Sequence, residues 1–261
     1  VSDPLARIAD LPGVPEAVDA ARESVDRLYR HKVLRRRQPE VSAESALRGA
    51  WASAVLEGAQ VKLDELREGD VQEPLVQGAL RATAELGRLR QTWRLAPRQV
   101  LARLHALAGA DLLPQEELGR PRVGPTDSDP YGLGPAPGVV EMSARLDALF
   151  AVSQESAEAP AVVVGAIVHG ELAVLRPFGA VDGLVARVAE RLTLIEQGLD
   201  PKALVPVELG HREQSESYAD ALRGYASGTS AGVAGWVRHC AEAVVLGARE
   251  STAVCEALLR G

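Results

Sequence analysis

The chain has 261 residues, of which 46% are hydrophobic and only 3% aromatic, and its formal net charge is −7 at pH 7. That length is enough for a sizeable core. With so few aromatics, Ala, Leu and Val must fill it, and the helix-forming bias of Ala and Leu favours an α-rich fold. The acidic balance argues against nucleic acid as a partner. The longest apolar run, 159–167, contains Pro160 and is too short to span a bilayer.

Taken in order, residues 15–37 read as an amphipathic helix, with Val18, Ala21, Val25, Leu28 and Leu34 at helical spacing. Its end is the basic run Arg30 to Arg37, which suits the negative pole of the helix dipole and reads as a solvated helix end, with Pro39 as a stop. A second helix is expected after Ser42, with Ser45 as an alternative cap, running to Glu57 and ending at Gly58. A loop and one or two helical turns follow over 59–67. Two further helices are expected over 73–90 and 97–107. Residues 108–138 hold Pro114, Pro121, Pro125, Pro130, Pro135 and Pro137 and read as an extended flap.

Helical patterning returns over 140–152 and, very apolar, over 160–175. The next helix, 183–197, closes on Gly198 with Pro201 beyond. Helices over 211–226 and 231–259 complete an all-α expectation. Trp51, Trp93 and Trp236 are expected core anchors. Cys240 and Cys255 match no zinc or redox spacing and lie too far apart on one helix to bridge. With an N-terminus carrying Asp3, Arg7 and Asp10 and no long apolar run, a reduced, cytoplasmic protein is expected. Glu208, His211 and Glu213 have no recognised metal-ligand spacing and read as a polar cap between loop and helix.

The segment Leu175-Arg-Pro-Phe-Gly-Ala-Val-Asp-Gly-Leu-Val-Ala-Arg187 carries the most information. It resembles the Fic-family signature H-P-F-x-[DE]-G-N-G-R-x-x-R, with Pro177, Phe178, Gly183 and Arg187 in register. Upstream, His169 keeps the spacing of the family's preceding histidine. The departures fall on the chemistry. Arg176 stands at the general base, and a base must accept a proton, which arginine cannot do at cellular pH. Ala180 replaces the acidic metal ligand and has no oxygen to offer Mg²⁺. Val181 replaces the first glycine, Asp182 the asparagine and Leu184 the first arginine. Arg176 is either a phosphate-binding arginine of a remodelled site or a loop arginine paired to a nearby carboxylate, the commoner fate. His169 is read as a packed histidine, with a displaced base as the alternative.

A second motif, Ser53-Ala-Val-Leu-Glu57-Gly58, resembles the family's inhibitory pattern [ST]-x-x-x-E-[GN]. There the glutamate pairs with the last signature arginine, here Arg187. By this resemblance the chain is one Fic-like helical domain over 1–261. N-terminal helices occupy 1–108, with the inhibitory-type helix at about 42–58. The flap spans 109–138, the core 139–228 and the C-terminal helix 229–261. The resemblance implies a degenerate member, without adenylyl transfer, that regulates by binding a nucleotide or a protein. Asp182, Gly183 and Arg187 are the nucleotide-binding positions, and Ser53, Glu57 and Gly58 the regulatory ones. ATP and Mg²⁺ are cofactors only if the site functions, and no metal ligand is assigned. The alternatives are a transferase with altered chemistry, using His169 or Asp182, and a purely structural helical interaction module. Partner protein and oligomeric state stay open.

Overall fold

A computed structural model describes residues 3–69, 71–156 and 158–260. Thirteen helices cover most of these residues, and no strand occurs among them. They are α1 (Pro4–Ala9), α2 (Val14–Tyr29), α3 (Leu34–Leu56), α4 (Leu63–Glu68), α5 (Pro74–Ala84), α6 (Leu86–Leu95) and α7 (Pro97–Gly109). After the irregular stretch 110–138 come α8 (Val139–Glu155), α9 (Ala161–Leu175), α10 (Asp182–Glu196), α11 (Val207–Glu213), α12 (Ser215–Ala226) and α13 (Ser230–Arg260). The fold is all-α, as composition and periodicity imply.

The centre is the pair α9 and α10, joined by the loop 176–181. Both helices are buried on nearly every face. Such helices lack an amphipathic stripe because packing surrounds them. Around them, α6 and α7 cover α10, and the long α13 packs on α2, α9, α11 and α12. The second layer, α3, rests on α5 and α11. No described helix is long and apolar enough to cross a membrane.

Several boundaries differ from the sequence expectation. The first long helix stops at Tyr29, whose hydroxyl donates to Asp200 Oδ1 at 2.6 Å, instead of running to Arg37. The basic run therefore straddles a break and is not a single helix end. Pro39 is not a stop: it lies inside α3, just after a kink at Arg37 with φ −122° and ψ 27°. Proline is tolerated in a first helical turn, so the segment beyond the kink starts on it. Ser42 and Ser45 therefore serve no cap. Ser42 donates to the Lys202 carbonyl, and Ser45 accepts from Arg191 at 2.7 Å. The helix expected over 73–90 breaks after Ala84 and resumes at Leu86, and that over 211–226 is divided at Gln214. The short α1, capped by Asp3, was not anticipated.

Glycine sets the closest helix approach. A Cβ on Gly210 would lie 2.0 Å from the Ala243 carbonyl oxygen, so α11 can meet α13 only without a side chain there. Gly87 in α6 faces open space. Gly210→Ala is expected to destabilise by about 1–3 kcal/mol through overpacking. Gly87→Ala should gain about 0.5–1 kcal/mol by restricting the unfolded chain. Denaturant unfolding midpoints of the two variants measure both signs.

Candidate functional site

The loop 176–181 leaves α9 through Arg176 in the left-handed region (φ 45°) and enters α10 through Val181 at φ 47°. A β-branched residue there is strained, at a cost on the order of 1–3 kcal/mol. Gly179 adds a third positive φ of 81°. The turn leads into the N-terminus of α10, a position whose dipole suits an anion. The anion present is the chain's own. The Asp182 carboxylate accepts from Phe178 N–H at 3.0 Å and from Gly179 N–H at 2.7 Å. Burial pushes the Asp182 carboxyl up to about 7 despite those two donors, and nearby Glu57 adds to the rise.

Arg176 is buried and turned toward the flap. Its guanidinium donates to the carbonyls of Ser128 and Gly134, each at 2.6 Å, and lies 3.4 Å from Asp129 Oδ1. Of the two sequence readings, the geometry is that of an arginine paired to a nearby carboxylate. Arg122 works in the opposite direction. From the flap it donates to the carbonyls of Leu175 and Arg176, while its own N–H bonds Pro177. The 110–138 stretch is thus fastened to the signature loop from both sides.

Arg187 lies one turn inside α10 with no solvent exposure. Nε donates to Ser53 Oγ at 2.9 Å, and Nη2 to the Ser53 carbonyl at 3.1 Å and to Glu57 Oε1 at 2.6 Å. Nη1 donates to the hydroxyls of Tyr131 at 2.9 Å and Tyr218 at 3.4 Å. Every guanidinium N–H therefore has an acceptor. Gly183 makes room for this cluster, since a Cβ there would sit 2.3 Å from both Glu57 Oε1 and Tyr131 Oη. Gly58, at φ 108°, ends α3 immediately after Glu57 and faces open space.

His169 is fully buried on α9. Nδ1 lies 2.6 Å from Glu190 Oε2 and Nε2 lies 2.7 Å from Tyr218 Oη, so both ring nitrogens are engaged. Burial lowers its pKa to about 4. His211 reaches the same Glu190 oxygen at 2.7 Å. The expected polar cap of Glu208, His211 and Glu213 does not form. Glu208 pairs with buried Arg191 at 3.3 Å, His211 turns into the core, and Glu213 stays outside on Arg212. The cause is α11 itself, which lies under α13 and carries both Glu208 and His211 inward.

The structure therefore gathers Ser53, Glu57, Asp182, Gly183 and Arg187 into one cluster, with Arg176 at its flap edge and His169 linked to it through Tyr218. Tyr131, Tyr218, Arg122 and Glu190 belong to it as well, and of these Tyr131, Arg122 and Glu190 were not singled out from sequence. Its place as the lone tyrosine amid the prolines and glycines of the flap is the one signal that could have found Tyr131.

No protein-family profile matches this sequence, and no curated protein does either. Solved structures do. A Fic family protein from Desulfovibrio desulfuricans G20 matches with a TM-score of 0.72 at 21% identity, over 91% of this chain and 74% of that one. Fic-1 (residues 134–508) from C. elegans matches at 0.70 and 17% identity, over 93% and 73%. A Fic-domain-containing signaling protein from Bacteroides thetaiotaomicron VPI-5482 matches at 0.70 and 14% identity, over 92% and 97%. The chain has the Fic fold.

Two measurements probe this cluster. Unfolded Asp182 titrates near ~3.9, and folded Asp182 at about 7. The folded chain thus holds the extra proton between those values. Its contribution is fully present below the unfolded pKa and is lost as pH rises through the folded one. The stability of the parent relative to Asp182→Asn should fall across that window, and carboxyl NMR should show a midpoint about 7. Glu57→Ala should destabilise by about 3–5 kcal/mol, because it leaves the Arg187 charge buried without its counter-ion. Glu57→Gln, which keeps an acceptor, should cost less in the same denaturation assay.

Proposed function

We propose that this chain is a degenerate Fic-fold regulator: it does not transfer adenylyl groups and it acts by binding another protein, its 261 residues forming one Fic-like domain. One observation carries the reading. The Asp182 carboxylate fills the loop from inside, on the N–H groups of Phe178 and Gly179, and puts its own negative charge where a phosphate would approach. A nucleotide would have to displace that carboxylate and also meet Glu57, which lies against Gly183 and Arg187.

The other parts agree. Arg176 stands where a base is needed and spends its donors on flap carbonyls. His169 cannot reach a target hydroxyl, since it is buried with both nitrogens occupied. A general base must come within hydrogen-bond reach of its proton. Against an altered transferase stands the crowding over Gly183, where that reading calls for a polar pocket. The flap, pinned by Arg122 and Arg176, presents Val123 at 96% exposure and so offers a pre-shaped edge to a protein partner. The role of Glu57 and Ser53 is then structural, holding α3 on α10 with no nucleotide to regulate.

The test is incubation of the full chain with α-labelled ATP and Mg²⁺, alone and with lysate, beside calorimetric titration of Mg·ATP. No label transfer and no binding heat are expected. Mg²⁺-dependent labelling that disappears in Arg187→Ala would overturn the proposal. The triple change Arg176→His, Ala180→Asp and Asp182→Asn should raise nucleotide affinity above the parent. No gain at all would count against the register of 176–187 on the signature.

A further inference from the structure

Beneath the signature loop, four buried side chains from four helices converge: His169 of α9, Glu190 of α10, His211 of α11 and Cys240 of α13. One donor atom from each lies within 4.8 Å of every other. The carboxylate is the puzzle. Glu190 is 1% exposed, yet neither neighbouring arginine serves it, because Arg187 pairs with Glu57 and Arg191 with Glu208. Among the described residues its partners are two imidazoles, at 2.6 and 2.7 Å, and the Cys240 thiol. Buried charges in proteins are ordinarily paired or coordinate a metal.

We propose that His169, Glu190, His211 and Cys240 form a structural binding site for a divalent transition-metal ion, with zinc the best match. Two imidazoles, a carboxylate and a thiolate supply the mixed N, O and S donors that zinc accepts in tetrahedral geometry. Charge closes, since the ion's two positive charges meet one carboxylate and one thiolate. Binding expels the Cys240 thiol proton, and each histidine stays neutral by moving its proton to its other nitrogen. Those outer nitrogens have partners able to take up the change. His169 Nε2 faces Tyr218 Oη at 2.7 Å and His211 Nδ1 faces His239 Nε2 at 3.2 Å. Metal-ligating histidines are oriented by such outer bonds. Bond lengths of about 2.0–2.3 Å put tetrahedral neighbours roughly 3.3–3.7 Å apart. Glu190 must therefore withdraw slightly from the two rings as the ion enters, replacing the protons that now hold them together.

Such an ion would bolt α9, α10, α11 and α13 together. Through His169 and Tyr218 it would also sit two hydrogen bonds from Arg187. The proposal stands whether or not the loop above binds a nucleotide.

The experiment uses the full chain purified from zinc-supplemented medium and exchanged through a weak chelator. Elemental analysis should find about one zinc per chain, removable only by strong chelators with loss of thermal stability. Cobalt replacement should give tetrahedral visible bands and a thiolate-to-cobalt charge-transfer band. Cys240→Ser should lose the charge-transfer band, and Cys255→Ser should keep it. Should Cys240→Ser fail to fold, the wild-type melting temperature with zinc and with chelator still decides: a rise with zinc supports the site. Negligible zinc, no cobalt spectrum and an unchanged melting temperature would overturn it and leave a purely hydrogen-bonded core. A charge-transfer band that follows Cys255 would overturn it too.

Discussion

A guanidinium with no access to water must find five acceptors inside the protein, and Arg187 finds them on three separated segments. Ser53 and Glu57 come from α3, Tyr131 from the flap and Tyr218 from α12. None of these segments can shift without stranding a buried donor, which costs more than the hydrogen bond itself gained. Arg191, one turn further along α10, repeats the device by holding Ser45 and Glu208. The two arginines thereby set the register of α3 against α10, and with it the placement of the flap over the loop.

The loop 176–181 closes on itself for a related reason. A turn before a helix N-terminus concentrates N–H donors whatever the sequence, and those donors require an acceptor. Asp182 supplies one from within for Phe178 and Gly179. Arg176 meanwhile ties the loop to the flap through the carbonyls of Ser128 and Gly134. The backbone keeps the strained form at Arg176 and Val181 even though glycine, which would enter that region freely, is absent from both. Strain kept by contacts on all sides is the sign of a turn whose shape still serves the packing.

Below the loop, polar groups run as one column from Arg187 through Tyr218 and His169 to Glu190, His211 and His239. The column uses up every ring nitrogen of His169 and His211. That accounts for the burial of histidines in a core made mostly of Ala, Leu and Val. It also couples Arg187 to α11 and α13, since a change in one bond of a low-dielectric network is felt along it.

Much of this was legible in the chain alone. The all-α class followed from composition and 3.6-residue periodicity. The spacing of Ser53, Glu57 and Arg187 named three of the residues that meet, because helical period and motif register are local properties. Boundaries were less secure. Pro39 read as a stop and proved to be a start, since proline's clash is with the turn before it and a kink at Arg37 removes that turn. What no local pattern could decide was which distant groups share a partner. Glu190, Cys240 and Tyr218 stand apart in sequence, and His211 seemed to belong with its neighbours Glu208 and Glu213. Only the packing of α11 under α13, possible because Gly210 has no side chain, carries His211 and Glu208 into the interior and assigns them different partners. The sequence determined the all-α class and the local register of Ser53, Glu57 and Arg187. The tertiary structure decided where each buried charge found its counter-charge, because burial makes that pairing obligatory and chain distance has no say in it.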